Sequence, residues 1–233
     1  MKREMKMTEG VDHLIEVSGL KKTYQSGDTS VDAIRNMDFF IDDAEFVTIM
    51  GPSGSGKSTL LSIMGALNHP TMGKVLVDSL DIYALNAEQR ADFRSDYIGF
   101  IFQSFQLIPY LTVLENVKLP MAVTGRKKKI QDQMAEDVIE RVGLTAKAHR
   151  LPDQLSGGEQ ERVAIARAIV NKPPIILADE PTGNLDSKTA GDIMNLLQSL
   201  NRDGHTVIVV THNPDMEAYA GRTIRVQDGE CFT

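Results

Sequence analysis

Four short stretches of this chain place phosphate- and water-handling groups at spacings that suit nucleotide chemistry. Gly51-Pro52-Ser53-Gly54-Ser55-Gly56-Lys57-Ser58, with Thr59 beside it, fits the pattern of a glycine-rich phosphate loop. Glycines let the backbone wrap around phosphate oxygens with N–H groups pointing inward. A helix that follows adds the positive end of its dipole, equivalent to about half a charge. Lys57 has the length to reach β- and γ-phosphates, and the Ser58 hydroxyl is a hard oxygen ligand for Mg²⁺ carried by ATP. An accidental glycine-serine loop is the competing reading.

Asp179-Glu180 sets two carboxylates at the end of the apolar run Ile175–Ala178, a costly arrangement unless a cation or a reacting water needs them. Asp179 is the candidate for holding Mg²⁺ through its water shell, and Glu180 for taking a proton from attacking water. The alternative is a pair of solvated acids capping the next loop. His212 follows the run Val207–Val210 and is placed to sense a γ-phosphate, although a lone histidine there is more often a hydrogen-bonded structural residue. In Leu155-Ser156-Gly157-Gly158-Glu159-Gln160, Ser156 has the character of a helix N-cap, and the glycine pair exposes N–H groups at a helix start. An ordinary capped helix explains Ser156 but not two flexible glycines after it. One mononucleotide needs only one such cradle, so the second device is expected to face a different nucleotide molecule.

The elements around these residues read as an α/β fold. Phe46–Met50, Ile175–Ala178 and Val207–Val210 are apolar on both faces, as buried parallel strands are, and each runs directly into one of the polar motifs. Ligands of open parallel sheets gather beyond the carboxyl ends of strands. An apolar helix is expected at Leu60–Leu67. Leu14–Val17 and Ala33–Ile41 alternate like half-exposed antiparallel strands, which predicts a flanking β layer. Val113–Leu119 and Ile130–Val142 carry helical periodicity, separated by the basic run Arg126–Lys129. That run would meet acidic lipid headgroups or lie in a solvated loop. The expected division is a leader at 1–12 and one domain at 13–233, with 13–102 and 166–233 forming a core and 103–165 a helical subdomain.

The phosphate loop, Leu155–Gln160, Asp179-Glu180 and His212, in that order over nearly the whole chain, resemble the ATP-binding cassette ATPases. The resemblance implies a phosphate-loop ATPase fold and a head-to-tail homodimer. In it Leu155–Gln160 is the signature that lies against the γ-phosphate of ATP held by the opposite subunit, with Ser156, Gly157, Gly158 and Glu159 as its nucleotide-binding residues. By the same resemblance Tyr24 is the aromatic that stacks on adenine. Gln103, after the strand Ile98–Phe102, touches Mg²⁺ and the attacking water, and Asp186 of Gly183-Asn184-Leu185-Asp186 acts in the loop beside the catalytic glutamate. Phe102–Pro109 and Pro181–Asp186 look most like the branch serving lipoprotein release, macrolide export and antimicrobial-peptide resistance. That branch implies an integral membrane permease partner and a peripheral position on the cytoplasmic face of the membrane. Phe105, Leu107 and Tyr110 would form the groove for a permease helix, with plain core packing as the alternative. The sequence departs from the common family pattern at Glu159 and Glu161, where glutamine is usual, and added negative charge near a γ-phosphate would lower ATP affinity.

Composition narrows the class. The chain has 233 residues, 42% of them hydrophobic and 24% charged, in the range of ordinary globular proteins. A net charge of -7 argues against nucleic acid as a partner. A single cysteine, Cys231, excludes an intramolecular disulfide and suits a reducing compartment. A nucleotide-controlled clamp on DNA or ribosome, or a signalling subunit, is the rival function. The short helical region between phosphate loop and signature lacks the long coiled coil that such DNA clamps carry.

Overall fold

The computed structural model describes residues 13–27 and 29–232, so the expected leader lies outside the described residues. The chain opens with β1 (Ile15–Ser26) and β2 (Thr29–Ile41), paired antiparallel from Ile15 against Ile41 to Ser26 against Thr29. Along β2 the buried side chains Ile34, Met37, Phe39 and Ile41 are separated by exposed ones, as expected of strands with one face packed and one wet. β3 (Phe46–Met50) is buried along its whole length and leads through the phosphate loop into α1 (Lys57–Met64). α1 stops three residues short of the expected Leu67. Ala66 takes φ 55°, which turns the chain out of the right-handed helix.

β4 (Met72–Val77) and β5 (Leu80–Asp81) return to the antiparallel layer, with β4 beside β1. α2 (Ala87–Tyr97), fixed at its start by a reciprocal Asn86–Gln89 cap, then delivers β6 (Ile98–Ile101) to the core. The helical stretch contains α3 (Val113–Lys118), α4 (Lys128–Arg141) and α5 (Gly157–Ile169). α5 is unbroken across the expected boundary between 165 and 166. β7 (Ile175–Asp179), α6 (Ser187–Arg202), β8 (Thr206–Thr211), β9 (Arg222–Gln227) and β10 (Glu230–Phe232) complete the chain.

The strands form one ten-stranded sheet in the order β5-β4-β1-β2-β10-β9-β3-β8-β7-β6. β9, β3, β8, β7 and β6 are parallel neighbours, β5, β4, β1 and β2 pair antiparallel, and β10 joins the two parts, parallel to β2 and antiparallel to β9. Side chains alternate across a strand, so each central strand feeds two cores. Val47, Ile49, Ile175, Leu177, Ile208 and Val210 pack with α1 and the β layer. Phe46, Ile176, Ala178, Val207 and Val209 pack on the opposite face with α3 to α6. This is why the three strands read as unbroken apolar runs. Among the described residues no helix is long and apolar enough to cross a membrane.

Candidate functional site

β3, β8 and β7 are adjacent and parallel, with Met50 level with Thr211 and Val210 level with Asp179. Three separate sequence motifs therefore finish on one edge of the sheet. The phosphate loop leaves β3, His212 leaves β8, and Asp179-Glu180 closes β7. A cavity of about 750 Å³ opens there, within the range that holds a nucleotide-sized ligand. Its walls include the phosphate loop with Lys57, Ser58 and Thr59, together with Gln103, Glu180, His212 and Ala33 of β2.

The loop's conformation depends on glycine. Gly56 sits at φ 101°, and a side chain there would place its Cβ 2.2 Å from the Ala33 carbonyl oxygen. It is also the N-cap of α1 with no side chain bonded to the helix end, so the first-turn N–H groups of α1 are left for an anion. Lys57 is 6% exposed and donates from Nζ to the carbonyl oxygens of Gly51 at 2.7 Å and Pro52 at 2.8 Å. Burial lowers its ammonium pKa, opposed by the nearby carboxylates of Glu180 and Asp179. An anion entering this cradle relieves that penalty.

Ser58 donates from Oγ to Asp179 Oδ1 at 3.0 Å, bringing together a hydroxyl and a carboxylate from positions 121 residues apart. Burial raises the Asp179 carboxyl, the Ser58 hydrogen bond and Lys57 pull it down, and Glu180 pushes it further up. A carboxyl whose charge is disfavoured by its surroundings gains from a cation, and a hydroxyl–carboxylate pair is the hard-oxygen donor set that Mg²⁺ accepts beside phosphates. Among the described residues no cluster of three or more His, Cys, Asp or Glu side chains is placed to hold a metal on its own. A cation here would take most of its ligands from phosphate and water.

Glu180 is the most constrained of the set. It sits in the left-handed region at φ 51°, which costs a non-glycine residue about 1–2 kcal/mol. Its N–H donates to Val210 O of β8 at 2.9 Å, and its own carbonyl accepts from Gly183 at 3.0 Å, so the strained turn is pinned on both sides. The side chain is 12% exposed and meets His212, whose Nδ1 lies 2.8 Å from Oε1 and 2.7 Å from Oε2. His212 thus orients the glutamate as well as facing the cavity.

Other expected residues lie elsewhere. Tyr24 is on β1, outside the cavity lining; Lys22 Nζ covers its ring at 4.9 Å and Asn68 donates to its hydroxyl. Asp186 is the N-cap of α6, accepting from the N–H groups of Lys188 and Thr189 and from the Thr189 hydroxyl at 2.6 Å. Ser156 caps α5 in a reciprocal arrangement with Glu159. No residue from 155 to 160 lines the cavity. Glu161 points inward from α5 with no exposure, away from any surface where a phosphate could rest.

Two positioning residues carry no signal in the sequence. Arg167 of α5 donates to the carbonyls of Phe105 at 2.7 Å and Gln106 at 2.6 Å, both of which sit at positive φ just beyond Gln103. Asn116 of α3 is fully buried. It accepts from Ile108 N–H and donates to the carbonyls of Ile108, Leu111 and Thr112, fixing the same segment.

Known proteins share this architecture. Residues 34–183 match the family described as ABC transporter. An ABC transporter ATP-binding protein of Thermotoga maritima is 47% identical over 216 residues, covering 93% of this chain and 92% of that protein. The macrolide export ATP-binding/permease protein MacB of a Shewanella species is 41% identical over 93% of this chain and 33% of its own length. A dimeric structure of MJ0796, an ABC transporter cassette, superposes with a TM-score of 0.87 at 46% identity over 94% of this chain and 97% of that one. MJ0796, from Methanocaldococcus jannaschii, is also known as a dimer in a post-hydrolysis state bound to ADP and Pi. The chain belongs to the ABC transporter family.

Proposed function

We propose that this chain is the ATP-hydrolysing subunit of an ABC transporter. In this reading two copies meet head to tail, each ATP lies on the phosphate loop of one copy and under Ser156 to Glu159 of the other, and the pair drives an integral membrane permease from the cytoplasmic face of the membrane. The observation that carries it is the separation of two anion-binding devices in one chain. Lys57 and the uncapped start of α1 line the cavity, whereas the Ser156–Gly158 end of α5 contributes nothing to it. MJ0796, so similar in sequence and fold, is a dimer with ADP and Pi bound. Similarity to MacB, a macrolide export ATP-binding/permease protein, supports an export type of permease.

The loop N–H groups and Lys57 hold the β- and γ-phosphates, and Tyr24 offers its ring to the base. Ser58, Asp179 and Gln103 would hold Mg²⁺ arriving with the nucleotide, and that cation would supply charge neutralisation on the phosphates. Glu180 accepts a proton from a water attacking the γ-phosphorus while the bond to the β-phosphate oxygen breaks, giving ADP and phosphate. His212 keeps the carboxylate aimed and turns its other ring nitrogen to the γ-phosphate. Ser156 and the Gly157 and Gly158 N–H groups complete the cage from the second copy. Residues 103–165 carry Gln103 at one end and the signature at the other, so the helical part reads both sites. Asp186 holds the start of α6 beside this interface.

Glu180→Gln tests the assignment. Nucleotide affinity should stay within about threefold, turnover should fall at least a hundredfold, and ATP should collect the chain as a dimer in sedimentation. Near-normal turnover by that variant removes Glu180 from the chemistry.

A further inference from the structure

Glu159 is the member of the Ser156 cap that carries a charge, and its two carboxylate oxygens have different partners. Oε2 accepts from the Ser156 N–H at 3.0 Å, and Oε1 is ion-paired with Lys147. The Ser156 hydroxyl accepts in return from the Glu159 N–H at 3.4 Å. The pair is partly sheltered, with side chains 30% and 26% exposed, so solvent screens it less than an open surface pair. Lys147, whose hydrogen bond is the largest cause, holds the Glu159 carboxyl below its usual range.

Lys147 is not on α5. It ends the short turn Thr145–Lys147 after α4, where its N–H donates to Leu144 O at 2.8 Å and its carbonyl accepts from Arg150 at 2.9 Å. Ala148 and Arg150 in turn accept from Leu114 and Val113 of α3, both at 2.9 Å. The ammonium therefore stands on a braced support, and Glu159 links that support to Ser156. A bare carboxylate one residue beyond Gly158 would repel any anion brought to the start of α5.

We propose that Lys147 is a positioning residue for ATP-driven closure, neutralising Glu159 and holding it as the strut that aims Ser156 and the following N–H groups at the γ-phosphate on a second copy of this chain. This rests on the reading that Ser156 faces that phosphate. Lys147 itself touches no nucleotide.

Lys147→Ala should raise KM for ATP about three- to tenfold, with kcat changed less than twofold, and should weaken ATP-dependent dimerisation of the intact chain by a similar factor. The defect should shrink as salt rises, because an uncompensated charge is screened. Lys147→Arg should restore the original KM, since it keeps the cation. In the Lys147→Ala background Glu159→Gln should also restore KM, because glutamine keeps an oxygen for the Ser156 N–H and drops the charge. A KM unchanged by Lys147→Ala, or a defect that Glu159→Gln leaves in place in a chain with normal melting, overturns the proposal. Ser156→Arg, which fills the space next to the glycines, separates the two readings. If that variant still dimerises with ATP and hydrolyses it normally, the two-copy site falls, and this inference with it. If it is inactive while Lys147→Ala behaves as the parent, only the role of Lys147 falls.

Discussion

Glu161 shows how one side chain can couple this fold to pH. It is fully buried in α5, neither carboxylate oxygen has a hydrogen-bond partner, and desolvation pushes its pKa up to about 8 against the pull of Arg167. The unfolded chain holds that carboxyl near its ordinary value of 4.5. Between the two values the folded state keeps a proton that the unfolded state has released, so this group's contribution is fully present below about 4.5 and is lost progressively as pH climbs to about 8. The full shift corresponds to a few kcal/mol, at about 1.4 kcal/mol per unit. Glu161→Gln, neutral at every pH and nearly the same shape, should melt about 5 °C higher than the parent at pH 8 and converge with it near pH 4.5. A gap that is the same at both pH values would show that burial of this charge does not govern stability. Placed in the core, the extra acid expected to weaken ATP binding acts on the folded state instead.

At the scale of elements, the junction of α5 and α6 explains a glycine that anion binding alone does not require. A Cβ on Gly158 would lie 2.4 Å from Cγ2 of Thr189. That methyl cannot swing aside freely, because the Thr189 hydroxyl is held by Asp186, the cap of α6. Gly158 therefore lets the start of α5 lie directly on the first turn of α6. Gly158→Ala should destabilise the fold by about 1–3 kcal/mol through overpacking, despite the better helix propensity of alanine. Adding Thr189→Ser, which removes the methyl and keeps the hydroxyl, should recover most of the loss in a denaturation experiment. If the second change recovers nothing, the contact is not the cause. The motifs around these elements were legible because each lies in a short window. Ser156-x-x-Glu159 is a cap on sight, and glycine-rich loops after apolar strands announce turns. The Gly158–Thr189 contact joins residues on two different helices, and no periodicity announces it.

For the whole molecule, the segment after Gln103 divides the expected permease groove into two kinds of residue. Tyr110 is 77% exposed, whereas Leu107 packs against the α3–α6 core. Tyr110→Glu should leave melting and basal ATP hydrolysis unchanged and reduce stimulation by the permease in reconstituted membranes. Leu107→Glu should lower stability, since a charge would enter a packed interface. Equal coupling in the Tyr110 variant and the parent would move the docking surface elsewhere. Leu107 thus follows the packing alternative, whereas Tyr110 stays free of the core and is the residue on which the docking expectation is tested.

Local pattern determined that three apolar strands end in phosphate, carboxylate and histidine chemistry, and that a second glycine-bearing helix start exists. Those features rest on interactions within a few residues, which any window of the sequence contains. Tertiary structure decided which of them meet. The parallel order β3-β8-β7 brings Lys57, Ser58, Glu180 and His212 to one cavity, with Asp179 bonded to Ser58 behind its wall, while leaving Ser156 to Glu159 outside it. It also decided that Arg167 holds carbonyls 61 and 62 residues away, that Lys147 braces Glu159 across a turn, and that Glu161 is core. Such pairings depend on the path of the whole chain through space, because two groups far apart in sequence become neighbours only when the sheet and helices between them have packed.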